Sequence, residues 1–199
     1  MRNSIVLIFL LALLTQCGGE FIPDPLDPRL PRYSEEGKNA AGCFINGDVW
    51  RAVQGVGSFK GGTNETLRVN FQSEDSTIHI AIDGWRNESD DSLRTYTEII
   101  FALDNREAQL ESVRELHRKT FLLDGEHNYG QLIQPFADTI GTSGTGQITI
   151  RRVGLDSVTS SSTHYIIAGT FSFTTTSNSL GRIEIRNGRF DYSIRELNN

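Results

Sequence analysis

From about residue 41 onward, apolar and polar positions of this chain alternate. In "LRVNFQ", Leu67, Val69 and Phe71 fall on one side and Arg68, Asn70 and Gln72 on the other. "TIHIAID" repeats the pattern with Ile78, Ile80 and Ile82, whereas "TEIIFAL" (97–103) is apolar almost throughout. A period of two with one wetted face marks an antiparallel strand, and a continuous apolar run marks a more buried one. "GQITIRRV", "HYIIAGTFSFTT" and "RIEIRNGRFDYSI" complete the set. Turn signals stand between these runs at Gly61-Gly62, Asp83-Gly84, Asp124-Gly125 and Ser179-Leu180-Gly181. "GTSGTG" (141–146) reads as a flexible turn, since it lacks the Lys-Ser/Thr of a phosphate loop and leads into a strand. One helix is predicted from about Asn105 to Arg118. Asp104 and Glu107 supply its capping box, and Leu110, Val113 and Leu116 supply a partial apolar stripe. The expected fold is mostly β: an antiparallel β-barrel or β-sandwich of about eight strands with one short helix.

The last long run carries one irregularity. Tyr165, Ile167, Phe171, Phe173, Ile183 and Ile185 share a parity, but Phe190, Tyr192 and Ile194 have the other. A strand cannot change faces by itself, so one residue near Asn187-Gly188 must be absorbed in a bulge or tight turn, with glycine as the residue suited to positive φ.

The first forty residues follow different rules. Arg2 precedes an uninterrupted apolar run, Ile5 to Leu14, too short to span a bilayer and suited to a secretory signal. Leu14-Thr15-Gln16-Cys17 resembles a bacterial lipobox, although Gln16 replaces the usual small residue before the cysteine. The expected layout is therefore a signal peptide over 1–16, a lipidated Cys17 with a Pro-rich tether over 17–38, and one β domain over 39–199. The tether holds four of the five prolines, which forbids helix and ladder and predicts a semi-rigid spacer. Several acyl chains on Cys17 would hold the protein durably to a membrane. The implied location is the cell envelope, with the lipid bilayer as first partner.

Composition adds limits. A chain of 199 residues with 37% hydrophobic residues suits one core. The formal charge of −6 contains no basic patch, which argues against a nucleic-acid partner. Of two cysteines, an acylated Cys17 leaves Cys43 unpaired, and Cys43 reads as a small buried apolar residue.

Three short elements carry a resemblance. Gly42-Cys43-Phe44-Ile45-Asn46-Gly47-Asp48-Val49-Trp50, Gly169 to Phe173, and Asn187 to Asp191 are similar to the GCxxNGxxW opening and the GTFSF and NGRFD closing motifs of uncharacterised lipoproteins of Bacteroidota. The "GQITIRRVG" segment sits where such proteins carry a G-x-I-x-I-type strand. Residues 60–135 share only the strand rhythm. The resemblance implies an antiparallel β domain on a lipid anchor and supplies no site residues.

Candidate chemistry is sparse. Trp85, expected in an exposed turn after Asp83-Gly84, is the first choice for a ligand-binding residue, with Tyr96 and Tyr129 near strand ends. Exposed aromatics of this kind stack on sugar rings. Trp50 reads as core. Asp124, Glu126 and His127 place three potential metal ligands in one loop, which His117 could join, and a solvated turn explains them as well. Asp83, Asp104 and Asp124 end predicted strands, where paired carboxylates could hydrolyse glycosides or simply form turns. No motif calls for a cofactor. Three functions remain open: a non-catalytic β domain binding a glycan or an envelope protein, a structural or assembly lipoprotein, and a glycan hydrolase.

Overall fold

The alternating runs become ten antiparallel strands in the computed structural model, which describes residues 23–52, 66–87, 94–134, 141–177 and 180–197. They are β1 (Ala40–Ile45), β2 (Asp48–Ala52), β3 (Leu67–Gln72), β4 (Thr77–Asn87), β5 (Arg94–Asp104), β6 (Thr120–Asp124), β7 (Tyr129–Ile133), β8 (Gly141–Val158), β9 (Ser162–Ser177) and β10 (Gly181–Leu197). The sheet runs β2-β1-β10-β9-β8-β7-β5-β4-β3, and a further pairing of β2 with β4 returns it onto itself. The closing contacts are Trp50 with Arg86, Arg51 with Trp85 and Ala52 with Gly84. The result is a closed ring of eight strands, with β3 added to β4 and β6 to β8. At this size the inward side chains just fill the interior. Phe101 packs edge-on against Phe171 and Phe173, with ring centroids 5.2 and 5.6 Å apart, and Phe171 stacks on Phe190 at 6.4 Å. Cys43 is fully buried among them, and burial pushes its thiol pKa well up.

The parity change is a β-bulge. Ile185 faces Phe173 and Gly188 faces Phe171, so three steps on β10 answer two on β9. The roles within the pair differ from expectation: Asn187 takes the left-handed conformation (φ 55), and Gly188 supplies room. A Cβ on Gly188 would lie 2.3 Å from the Phe171 ring.

Three local expectations are corrected. Asp83-Gly84 is not a turn, because β4 runs through it. Gly84 is there because the Trp50 indole crosses its backbone, 2.3 Å from where a Cβ would stand. "GTSGTG" is likewise the first part of β8, where Gly144 leaves space for the Phe173 ring, 2.6 Å from its would-be Cβ. The helix over 105–118 shrinks to one 3-10 turn, Val113–Leu116. The Asn105 side chain donates to the Leu110 carbonyl and accepts from its amide, both at 2.8 Å, and Gln109 takes φ 46. These local bonds compete with helical ones and win. Leu110, Val113 and Leu116 are still buried. The capping pair is Ser112 with Glu115, while Asp104 binds Arg106. The turn signal at Gly61-Gly62 lies outside the described residues, as do 1–22 with the expected signal peptide and Cys17.

Residues 23–38, in the stretch read as a spacer, lie on the barrel wall as a strap. Leu30 is fully buried, and the Arg29 guanidinium sits 4.7 Å above the Phe44 ring. Arg189 binds Asp24, and Arg51 donates twice to the Arg29 carbonyl at 2.8 and 2.7 Å. Arg152 donates to the Glu35 carbonyl at 2.8 Å. The strongest attachment is Asp191 of β10, which is 3% exposed. It accepts from the amides of Gly37, Lys38 and Glu36 at 2.8, 3.1 and 3.2 Å and from the Ser34 hydroxyl. The NGRFD element is therefore a joint: bulge, core aromatic and strap anchor within five residues.

Candidate functional site

With the interior filled by apolar side chains, a ligand has to be met on the outer wall. Trp50 points inward, fully buried, and its indole N–H donates to Thr97 Oγ1 at 2.7 Å. Trp85 points the other way, because it lies three steps along β4 from the inward Ile82 and one from Gly84, an odd number in each case. It stands in a strand rather than in a turn, opposite Tyr96 of β5. Both rings are half-buried and meet edge to face, with centroids 5.3 Å apart at 75°. Trp85 and Tyr96 are thus brought together. Tyr129 is not: it pairs with Ala102, six residues along β5 from Tyr96, or about 20 Å at strand rise.

Beside the aromatic pair on the same wall stands a group of charges. Asp83 and Glu98 face each other across β4 and β5, two positions from Trp85 and Tyr96. Arg68 of β3 reaches over both, with Nη1 to Asp83 Oδ2 and Nη2 to Glu98 Oε1 each at 2.5 Å. The side chains are 35%, 17% and 18% exposed, so this is a half-buried triad and not a surface pair. Burial, followed by the neighbouring Asp83 charge, raises the Glu98 pKa against the pull of Arg68. The Tyr96 hydroxyl is raised as well, first by burial and then by its hydrogen bond to Asp83, and the Asp83 hydrogen bond raises Arg68. One guanidinium bridges two carboxylates, whose remaining lone pairs can accept hydrogen bonds from hydroxyl groups. An aromatic platform with such a row beside it can stack on one face of a ring and hydrogen-bond its substituents.

Of the three aspartates expected at strand ends, only Asp83, which stands inside β4, faces a second carboxylate, and that partner is Glu98. Asp104 is held by Arg106 at 2.6 Å. Asp124 is used by the turn that joins β6 to β7, two strands that both pair with β8. Its Oδ1 accepts from the amides of Glu126, His127 and Asn128 at 2.8, 2.8 and 3.0 Å, while Gly125 takes φ 86. His127 Nδ1 lies 3.5 Å from Asp124 Oδ2, and the pair is exposed. His117 does not join them, because its Nδ1 accepts from the Val153 amide at 3.0 Å. Among the described residues no group of three or more His, Cys, Asp or Glu gathers as a metal site.

This turn gives a direct pH prediction. Its amides, Glu126 foremost, hold the Asp124 carboxyl at about 2, below the ordinary 3.8. A lowered folded-state pKa means that the contribution is complete above the ordinary value and is lost as pH falls through the folded one. The Glu126, His127 and Asn128 amide resonances should therefore titrate with a midpoint near 2 in an NMR acid titration. A midpoint at the ordinary aspartate value would contradict the capping role.

The sequence pointed to Trp85, Tyr96 and Asp83 singly, but not to Arg68 or Glu98. The signal for these two is their place on the polar faces of "LRVNFQ" and "YTEII". Comparison with known protein families, with curated proteins and with solved structures finds no match.

Proposed function

We propose that this chain is a lipid-anchored protein of a bacterial cell envelope whose barrel binds, without catalysis, a polyhydroxylated ligand such as a glycan. The observation that carries the reading is the Trp85–Tyr96 pair, half-exposed on the outer wall of a filled barrel beside Arg68, Asp83 and Glu98. The lipobox-like Leu14 to Cys17 and the resemblance to Bacteroidota lipoproteins support the anchor.

Fluorescence tests this directly. Of the two tryptophans, Trp50 is sealed in the core and Trp85 is half-exposed. Titration with the right saccharide should change the Trp85 emission, and the change should vanish in Trp85→Phe while the Trp50 emission stays constant. A ligand that binds without altering Trp85 emission would place binding elsewhere.

A further inference from the structure

We propose that the wall carrying the strap is the face this protein turns to the bilayer, with Leu26 at the point of contact. The inference rests on the reading of Cys17 as the acylated residue. Cys17 and Pro23 are six residues apart, so Pro23 lies within about 20 Å of the anchor however that stretch runs. From Pro23 onward the chain is not free to act as a leash. Asp24 is held by Arg189 of β10, the Arg29 carbonyl by Arg51 of β2, and residues 34–38 by Asp191. A short link joined to a strap fixed at several points sets an orientation as well as a distance.

The strap's first part is itself a closed loop. Pro23 and Pro31 form a bridge, the Asp24 carboxylate accepts from the Leu26 and Asp27 amides at 2.7 and 3.3 Å, and the Leu30 amide donates to the Asp27 carbonyl at 3.1 Å. On this loop Leu30 turns inward and is fully buried, whereas Leu26 is 95% exposed. Leu26 makes no contribution to barrel packing. At the tip of a fixed loop beside the anchor, it is the side chain that reaches the headgroup and acyl boundary first. Arg51 is also the cross-strand partner of Trp85, so the Trp85–Tyr96 patch stands on the neighbouring part of this wall. A ligand of that patch would be met close to the membrane surface.

The test uses the acylated chain, residues 17–199, in vesicles of phosphatidylethanolamine and phosphatidylglycerol that contain nitroxide-labelled lipid. A fluorophore is placed at Leu26→Cys or, as the far control, at Val158→Cys. Cys43 is fully buried and Cys17 acylated, which leaves the introduced thiol as the reactive one. Val158 is 63% exposed, and its neighbours across the sheet lead through Thr163 to Glu196, seven residues and about 23 Å along β10 from Arg189. The expected result is several-fold stronger quenching by the bilayer nitroxide at 26 than at 158, with 26 shielded from aqueous iodide. Equal quenching at both positions, with acylation verified by mass spectrometry, would overturn the orientation and leave the anchor standing. An unmodified Cys17 in the same mass spectrum would overturn both.

Discussion

Asp191→Ala is expected to release the strap and to lower stability by about 3 kcal/mol. Asp191 is a buried carboxylate taking three backbone amides and the Ser34 hydroxyl. Hydrogen bonds to a charged group contribute about 1.5–3 kcal/mol each, but residues 34–38 can turn to water once released, so the net loss is smaller than the sum. For a domain of this size the melting temperature should fall by roughly 6–12 °C. Local opening should be visible before global unfolding. Trypsin should cut after Arg32 and Lys38 in the variant at temperatures where the wild-type strap resists and the barrel of both proteins is still folded. Equal rates of strap cleavage would show that Asp191 does not hold it.

Trp50→Ala should cost more, about 3–5 kcal/mol, the range for truncating a buried indole in a packed core. Trp50 sits on β2, the strand that closes the ring, and its indole N–H reaches Thr97 of β5 beyond β4. Truncation leaves a cavity at the closure and the Thr97 hydroxyl without its donor. The contact explains Gly84 too: a Cβ there would stand 2.3 Å from the indole and 2.6 Å from the Arg51 carbonyl. Gly84→Ala should therefore destabilise on its own and less so beside Trp50→Ala, a coupling that chemical denaturation of the four proteins in the cycle would measure. A loss below about 1 kcal/mol for Trp50→Ala would mean that the closure does not depend on this side chain.

The strands were legible because burial on one face imposes a period of two, and that period survives in single runs such as Ile78, Ile80 and Ile82. The bulge was legible for the same reason, since a change of parity has no other cheap explanation. What escaped were glycines. Gly84 and Gly144 look like turn residues when read locally, yet each is small because an aromatic ring from a distant strand, Trp50 or Phe173, passes over it. The predicted helix kept its apolar stripe but lost its geometry to a local competitor, the Asn105 side chain bonded to Leu110. In the candidate site, Trp85 was legible as a residue off the core, but for a turn that does not exist: it is half-buried on the outer face of β4, opposite Tyr96. The Arg68–Asp83–Glu98 triad needed the register of three strands, which alternation does not contain. The strap shows the same limit: its prolines are readable as an extended segment, while its anchor, Asp191, stands 153–157 residues further along.

The proposed glycan-like ligand would be bound on the Trp85–Tyr96 wall. The decisive measurement is thermal unfolding of residues 17–199 with Cys17→Ser, which removes the proposed acylation site and keeps the strap, against a panel of soluble saccharides. A ligand at a hundred times its Kd stabilises by about 2.7 kcal/mol, which in a domain of this size raises the melting temperature by roughly 5–10 °C. Such a shift is expected for one class of saccharide, and its loss in Trp85→Ala. No shift across the panel, or a shift that survives Trp85→Ala unchanged, would contradict the proposal.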